Sequence, residues 1–186
     1  MSSARDPTRD TVVAVSAPRR FTDDRGHFSE TYNKNRFSEE AGFSGEFVQD
    51  NQSRSRRGVL RGLHYQIEPR AQGKLVRAVI GVVFDVAVDI RRSSPTFGDW
   101  SGVELSAEEG NQVWIPPGFA HGILALTDGA ELLYKVTEFH SPEHERTIRW
   151  DDPTIGVVWP TEGISKVLVS EKDATAPLLK DAEVFA

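Results

Sequence analysis

A strand, a tight turn and the start of a second strand are predicted by Gly110-Asn-Gln-Val-Trp-Ile-Pro-Pro-Gly118-Phe-Ala-His121. Residues Gln112–Ile115 have the composition of a short buried strand. The Pro-Pro-Gly that follows predicts the turn, because proline presets φ and glycine adopts backbone angles that other residues avoid. A turn of this kind is stiff, so it aims His121 at the beginning of the next strand.

Short β-branched and aromatic runs, separated by turn residues, continue in both directions from this stretch. Two short helices interrupt them: Asn35 is predicted to cap a helix over Arg36–Ala41, and Ala176–Phe185 is predicted to form another. No long helices alternate with strands, which disfavours a parallel α/β sheet. We therefore predict a frayed tail over residues 1–10 and a single all-β domain over residues 11–186. The predicted strands are Thr11–Val15, His27–Tyr32, Glu46–Gln49, Val59–Gln66, Lys74–Ile80, Val82–Ile90, Gly102–Leu105, Gln112–Ile115, His121–Leu126, Ala130–Val136 and Val157–Trp159.

Alternation along the strands separates two faces. In the stretch Phe84–Ile90, the even-numbered residues are all apolar, whereas Asp85 and Asp89 share the other face. In the same way, His64 and Tyr134 lie in otherwise apolar strands. Polar side chains in such strands are candidates for groups that line a cavity.

Composition excludes several classes of protein. The chain has no Cys, which rules out a disulfide scaffold, a thiolate nucleophile and a zinc site with sulfur ligands. The formal net charge of -6 provides no basic field for non-specific binding of nucleic acid. The N-terminus lacks the apolar centre of a signal peptide, and Asp85 and Asp89 interrupt the most apolar stretch. We expect a cytoplasmic protein that binds neither membranes nor nucleic acid.

The turn that delivers His121 resembles the second sequence motif of the cupin superfamily, whose fold is a β jelly roll. Many cupins use this histidine as a metal ligand, together with a His-x-His and a Glu from their first motif. The matching stretch here is His64-Tyr-Gln66, with Lys74 beyond it. A protonated ammonium repels a cation, so this set of residues disfavours a metal. We expect no metal and no cofactor.

Longer matches identify the chain as similar to one particular family, the dTDP-4-dehydrorhamnose 3,5-epimerases. The resemblance runs from about residue 20 to about residue 179, and eight matching sequence motifs follow one another along the chain in the order of the family. It implies a cupin-like jelly roll that epimerises C3 and C5 of a dTDP-4-keto-6-deoxyhexose without a metal. The motifs are Arg25-Gly-His-Phe-Ser-Glu30, Phe47-Val-Gln-Asp-Asn51, Gly58-Val-Leu-Arg-Gly-Leu-His64-Tyr-Gln, Gln72-Gly-Lys-Leu-Val-Arg77, Phe84-Asp-Val-Ala-Val-Asp-Ile-Arg91, Ser94-Pro-Thr-Phe-Gly98, Ile115-Pro-Pro-Gly-Phe-Ala-His121-Gly and Tyr134-Lys.

The resemblance also implies four catalytic residues. His64 matches the general base, whose unperturbed pKa near ~6.5 suits proton abstraction at neutral pH. Asp173 matches the aspartate that pairs with this histidine and orients its ring. Tyr134 matches the acid that returns a proton from the opposite face of the sugar. Lys74 matches the cation beside the C4 oxygen, where it offsets the enolate charge.

Further residues match positions that hold the substrate. His140 departs from the family pattern, because a tyrosine usually stands there to stack on the thymine ring. On a regular strand Arg61 and His64 point to opposite faces, so a bulge near Gly62 or a second subunit must bring both into one site. The matching binding positions are Arg25, Glu30, Gln49, Asn51, Arg61, His121, His140, Glu145 and Lys172.

The resemblance implies a homodimer in which an N-terminal strand crosses to the partner.

Three alternative functions stay open. A closely related activity is epimerisation at C3 or C5 alone, in a secondary-metabolite sugar pathway. Different in class are a metal-dependent cupin oxygenase that uses His64 and His121, and a sugar-binding cupin without catalytic activity.

Overall fold

Two five-stranded antiparallel sheets and a separate hairpin contain the strands of residues 14–186, which are the residues that this computed structural model describes. The first sheet has the order β1-β9-β6-β11-β4, and the second has the order β12-β5-β10-β7-β8. Because successive strands from β4 to β12 repeatedly change sheet, the connectivity is that of a jelly roll. The strands are β1 (Ala14–Ser16), β2 (Arg20–Asp23), β3 (Gly26–Ser29), β4 (Gln49–Ser55), β5 (Leu60–Gln66), β6 (Lys74–Ile80), β7 (Val82–Asp89), β8 (Trp100–Ser106), β9 (Gln112–Ile115), β10 (Phe119–Ala125), β11 (Ala130–Val136) and β12 (Glu145–Thr147).

The apolar core has two layers, one on each face of the second sheet. An inner layer fills the space between the two sheets and includes Val76, Ala87 and Leu132. An outer layer packs Val86 and Val88 against the C-terminal part of the chain. The alternation predicted for β7 is confirmed, since odd and even positions of this strand enter different layers.

The C-terminal segment differs from the prediction. The predicted helix over Ala176–Phe185 and the predicted strand over Val157–Trp159 are both wrong. Instead the segment has a short helix α2 (Glu171–Ala174) and a 3₁₀ turn over Leu179–Asp181. The rest of it is irregular, because it follows the outer face of the second sheet and contributes Trp159 and Leu179 to that layer.

Near the N-terminus strand β2 was not predicted, β3 ends at Ser29 rather than at the predicted Tyr32, and two further boundaries differ. Strand β4 covers residues 49–55 rather than the predicted Glu46–Gln49. It is an edge strand with alternating exposed residues, so its polar composition concealed it. Helix α1 (Lys34–Ala41) is capped by Asn33 and not by Asn35, and it ends as predicted at Gly42, which has a φ of 63°.

The predicted tail over residues 1–10 lies outside the described residues, and so does most of the predicted strand Thr11–Val15. The division into a tail and a single domain over residues 11–186 stays a prediction. Within residues 14–186 no helix is long and apolar enough to cross a membrane.

Candidate active site

A bulge in β5 brings Arg61 and His64 onto one face. His64 lies opposite His121 and Arg61 lies opposite Ile123, so three steps on β5 match two steps on β10. Ile123 belongs to the inner layer, and both side chains are therefore on the inner face of the second sheet. Of the two explanations that the alternation left open, the structure shows the bulge near Gly62.

Glycine is required at this bulge. Gly62 has a φ of 132°, which side chains rarely adopt, and a Cβ atom there would lie 2.5 Å from the Cα atom of Gly122. The close approach of the two backbones leaves no room for a side chain. The glycine of the Arg61-Gly-Leu-His64 motif thus has a local physical reason, because it allows the register shift.

His64 is held by a carboxylate from the C-terminal segment. Its Nε2 atom lies 2.6 Å from Oδ1 of Asp173, and the N–H of Gly62 donates to Oδ2 of the same carboxylate at 3.3 Å. Ser170 caps α2 by accepting a hydrogen bond from the N–H of Asp173. Burial raises the pKa of Asp173, but its hydrogen bond with His64 and the charge of that ring outweigh burial, so the pKa is lowered. This leaves Nδ1 as the ring nitrogen available for proton transfer.

A second histidine–aspartate pair stands beside the first. Strand β10 places His121 directly opposite His64, and its Nε2 atom lies 2.8 Å from Oδ2 of Asp85. The Asp85 side chain is almost completely buried. Asp85 was not among the predicted site residues, although alternation had already placed it on the face opposite the apolar residues of β7.

The first sheet contributes Lys74 and Tyr134. Burial lowers the pKa of Lys74 to about 8, while the charges of Asp85 and Glu145 act in the opposite direction. The lysine Nζ atom lies 3.4 Å from the carbonyl oxygen of His64. Burial also raises the pKa of Tyr134, on which Arg61 and Glu145 act as well. Residues from facing sheets therefore share one electrostatic environment.

Glu145 interacts both with Lys74 and Tyr134 and with residues at the periphery of the site. Its carboxylate accepts a hydrogen bond from the Lys172 ammonium. Burial raises the pKa of Glu145, but Lys172 and the nearby rings of His64 and His140 outweigh burial, so the pKa is lowered. The His140 ring itself is exposed.

Two amides form a chain beside His140. The backbone N–H of His140 donates to Gln49 Oε1 at 3.1 Å, and Gln49 Nε2 donates to Asn51 Oδ1 at 2.8 Å. Asn51 lies directly opposite Tyr134 in the first sheet. Arg61 is also exposed, but it lies at the other end of β4, where its Nε atom donates to Ser55 Oγ at 3.1 Å.

Two predicted binding residues have no hydrogen bond or ion pair with this group in the part of the chain that the structure describes. Arg25 lies in the turn between β2 and β3, where its side chain is 90% exposed and pairs with Asp23. Glu30 follows β3 and pairs with Arg36 of α1. The structure therefore brings the other predicted residues together and leaves these two apart.

This arrangement suits proton transfer next to a carbonyl group. An imidazole backed by a carboxylate can accept a proton, a phenol from the facing sheet can return one, and an ammonium can offset the charge that develops on an oxygen. Within residues 14–186 no three His, Asp or Glu side chains are grouped as a metal ion requires.

The chain is similar over most of its length to known proteins. The family model for dTDP-4-dehydrorhamnose 3,5-epimerase matches residues 10–181. The dTDP-4-dehydrorhamnose 3,5-epimerase of Pseudomonas aeruginosa is 57% identical over 173 residues, which are 93% of this chain and 94% of that protein. The enzyme of the same name from Shigella flexneri is 54% identical, with the same two shares covered.

A solved structure agrees with these relatives. It is that of the dTDP-6-deoxy-D-glucose-3,5-epimerase of Legionella pneumophila in complex with dTDP-4-keto-L-rhamnose. The two chains superpose with a TM-score of 0.89 at 48% sequence identity, over 93% of this chain and 90% of the other.

Proposed function

The chain belongs to the dTDP-4-dehydrorhamnose 3,5-epimerase family of isomerases, and on this basis we propose that it inverts C3 and C5 of dTDP-4-dehydro-6-deoxy-D-glucose. Both carbons are next to the C4 ketone, so removal of a proton from either gives an enolate. Its product serves the biosynthesis of dTDP-L-rhamnose or a related deoxysugar. The observation that carries the proposal is the His64–Asp173 pair on one sheet with Tyr134 and Lys74 on the facing sheet.

His64 acts as the general base in this proposal. Asp173 binds Nε2 and orients the ring, so Nδ1 accepts the proton from the sugar carbon. The buried carboxylate then stabilises the imidazolium that forms, since an opposite charge within hydrogen-bond distance favours the charged state of the ring. The C–H bond electrons move into the enolate, whose negative charge collects on the C4 oxygen.

Lys74 and Tyr134 complete the reaction. With a pKa of about 8, Lys74 keeps its ammonium at pH 7 and offsets the charge on the C4 oxygen. Tyr134 donates a proton to the carbon from the face opposite His64, which inverts that centre. The elevated pKa of Tyr134 keeps the phenol protonated until the enolate takes its proton.

The remaining residues suit the nucleotide part of the substrate. Arg61 and Lys172 are exposed cations at the periphery of the site, where they can bind the diphosphate. His140 offers an imidazole for the thymine ring instead of the usual tyrosine. It covers less area, which favours weaker stacking on the base.

Hydrogen exchange tests the proposed reaction directly. The protein is incubated with dTDP-4-keto-6-deoxyglucose in D₂O, and the sugar is followed by NMR. We expect deuterium at both C3 and C5, together with a product inverted at both carbons. Exchange at one carbon alone would identify a single-position epimerase, and a sugar that stays protonated at both carbons would overturn either activity.

We also propose that the protein works as a homodimer, in which the β2–β3 hairpin of one protomer completes the site of its partner. Phe21 and Phe28 form a cross-strand pair on this hairpin and are 52% and 69% exposed. Exposed aromatic pairs favour coverage by another surface. The same hairpin carries Arg25, which the resemblance assigns to substrate binding.

Mixing two variants tests the shared site. Arg25→Ala and His64→Ala homodimers are each expected to be nearly inactive. Exchanging their subunits forms mixed dimers in which one site has both residues, so activity should return in part. A monomer in sedimentation, or a mixture that stays inactive after subunit exchange, would contradict the proposal.

A further inference from the structure

Ser170 and Asp173 begin helix α2 with a sequence that is typical of a capping box. In such a box the N-cap serine accepts a hydrogen bond from the N–H three residues later, and an acidic side chain at that later position returns to the N–H of the serine. The first half is present, because Ser170 Oγ accepts from the N–H of Asp173 at 3.1 Å. In place of the second half, Asp173 Oδ1 lies 2.6 Å from Nε2 of His64, and Oδ2 accepts from the N–H of Gly62 at 3.3 Å. The carboxylate therefore faces the candidate base rather than its own helix.

Backbone hydrogen bonds hold the segment before α2 against β5. The N–H of Leu168 donates to the carbonyl oxygen of Gly58 at 2.8 Å, and the N–H of Leu60 donates to the carbonyl oxygen of Leu168 at 2.9 Å. Asp173 is 3% exposed, so α2 inserts this residue into the protein. The place of α2 is thus set by the backbone, whereas the direction of the Asp173 carboxylate depends on the hydrogen bonds around it.

The Ser170 hydroxyl removes a competitor for this carboxylate. Aspartate side chains readily accept hydrogen bonds from backbone N–H groups near the start of a helix. Because Ser170 already satisfies the N–H of Asp173, the carboxylate is available to His64. The hydroxyl also acts on the carboxylate itself: burial raises the pKa of Asp173, whereas His64, the N–H of Gly62 and the Ser170 side chain lower it. Ser170 therefore favours the ionised carboxylate in its present direction.

We propose that Ser170 is a positioning residue for the candidate base, whose hydroxyl keeps the Asp173 carboxylate on Nε2 of His64. It acts through Asp173 and is not itself a catalytic residue. Without the hydroxyl, the carboxylate can turn back to the N–H groups of α2. His64 then loses the partner that orients its ring and the charge that stabilises its imidazolium. The proposal rests on the proposed epimerase function.

Ser170→Ala tests this role in the kinetics. The Ser170 side chain is exposed, so its removal costs little packing. We expect kcat/KM for the dTDP-sugar to fall about 3- to 10-fold, because the cap is a single uncharged hydrogen bond. The acid limb of the kcat/KM–pH profile should move to lower pH, since a weakened carboxylate contact makes the imidazolium of His64 lose its proton more readily. Ser170→Thr keeps the hydroxyl and should restore most of the activity.

Proton NMR of the His64 ring tests the same role without substrate. A ring N–H in a short hydrogen bond to a carboxylate exchanges slowly with water and resonates far downfield. We expect such a resonance from Nε2–H in the wild type, identified by its absence from His64→Ala. It should broaden or disappear in Ser170→Ala and remain in Ser170→Thr. If Ser170→Ala does not fold, Ser170→Gly replaces it, because glycine also lacks the hydroxyl and costs the helix less.

Thr175→Val is the matched control at the other end of α2. Thr175 is exposed, and its Oγ1 atom donates to the carbonyl oxygen of Glu171 at 2.8 Å. The substitution removes one side-chain hydrogen bond from the same helix and leaves the N–H of Asp173 capped. The pH profile and the downfield resonance should stay as in the wild type. The other charged or titratable groups around His64 are the same in both variants, namely Lys74, His121 and Glu145.

The outcomes separate the two proposals. A loss of turnover in Ser170→Ala without a change in the pH profile and the resonance would overturn the role of Ser170, and so would kinetics equal to those of the wild type. An equal effect of Thr175→Val would also overturn it, because the general stability of α2 would then be the cause. A wild-type protein that exchanges neither C3 nor C5 would instead overturn the epimerase function, whereas the resonance would still test the contact that Ser170 maintains.

Discussion

The two faces of the second sheet differ in chemistry although they are built from alternate residues of the same strands. The outer face buries Leu63, Val86 and Leu124 beneath the C-terminal segment, whereas the inner face carries His64 and His121. Both faces are covered, but only the inner face combines an apolar layer with the polar groups of the candidate site. On β7, which has no bulge, the parity of a residue decides which of the two faces its side chain enters.

The C-terminal segment connects the two faces. It covers the outer face with Trp159 and Leu179, and it also delivers Asp173 to His64 on the inner face. One segment therefore covers the outer layer and also supplies the carboxylate of the His64 pair.

The largest expected effect is on the inner face. His64→Ala removes the proposed base, and we expect turnover to fall about 10²- to 10⁴-fold. Little packing is lost, since the side chain is partly exposed and belongs to neither apolar layer. The Tm should nevertheless fall, because the buried carboxylate of Asp173 loses its His64 partner. Steady-state kinetics and thermal unfolding measure the two effects. Turnover close to that of the wild type would remove His64 from the mechanism.

The next effect belongs to the outer face. Leu124 is fully buried, three residues after His121 on the same strand, and Leu124→Ala should lower the free energy of unfolding by about 2–5 kcal/mol. Turnover per folded molecule should remain, because the side chain points away from the site. Urea unfolding and kinetics at low temperature test both statements, with Leu124→Met as a control that should cost less than ~1.5 kcal/mol. A variant that unfolds normally but turns over slowly would show that the faces are not separable.

The smallest effect concerns a polar inner-face position without a role in the proposed chemistry. Burial raises the pKa of Asp89, but hydrogen bonds from Arg91, Ser94 and Thr96 outweigh it and lower the pKa to about 2, from an ordinary value of 3.8. A folded-state pKa below the unfolded one stabilises the protein above about pH 4, by roughly 2 kcal/mol. That contribution is lost as the pH falls from about 4 to about 2.

Asp89→Asn should therefore be less stable than the wild type at pH 6, and the difference should shrink progressively below pH 4. Urea unfolding at pH 6, 4 and 3 measures the difference. A gap that stays constant over this range would show that the ionised carboxylate is not its cause.

Much of the fold could be predicted from local patterns. Strands β7, β9 and β11 were predicted within a residue or two, because their buried residues follow a period of two or form short apolar runs. The polar edge strand β4 and the conformation of the C-terminal segment could not be predicted in this way. Their conformations depend on what they pair with or pack against, and neither is visible in a short window of sequence.

For the candidate site, the resemblance predicted which residues take part. The alternation of side chains along β5 disagreed with that prediction in one place. The opposite parity of Arg61 and His64 pointed to an irregularity, and the structure has it at Gly62. Asp85 had the same kind of signal, as a carboxylate in an apolar strand, but nothing local connected it with His121. The roles of all these residues in binding and catalysis stay predictions.

The amino-acid sequence by itself determined the all-β architecture, the turn that delivers His121 and the glycine on which the bulge depends, since each follows from backbone preferences within a few residues. The resemblance implied that His64 pairs with Asp173, which is 109 positions away, but only the tertiary structure decided which ring nitrogen the carboxylate takes and which one is free. It also set Arg25 apart from the other predicted residues. Contacts between distant residues depend on the path of the whole chain, and no local preference encodes that path.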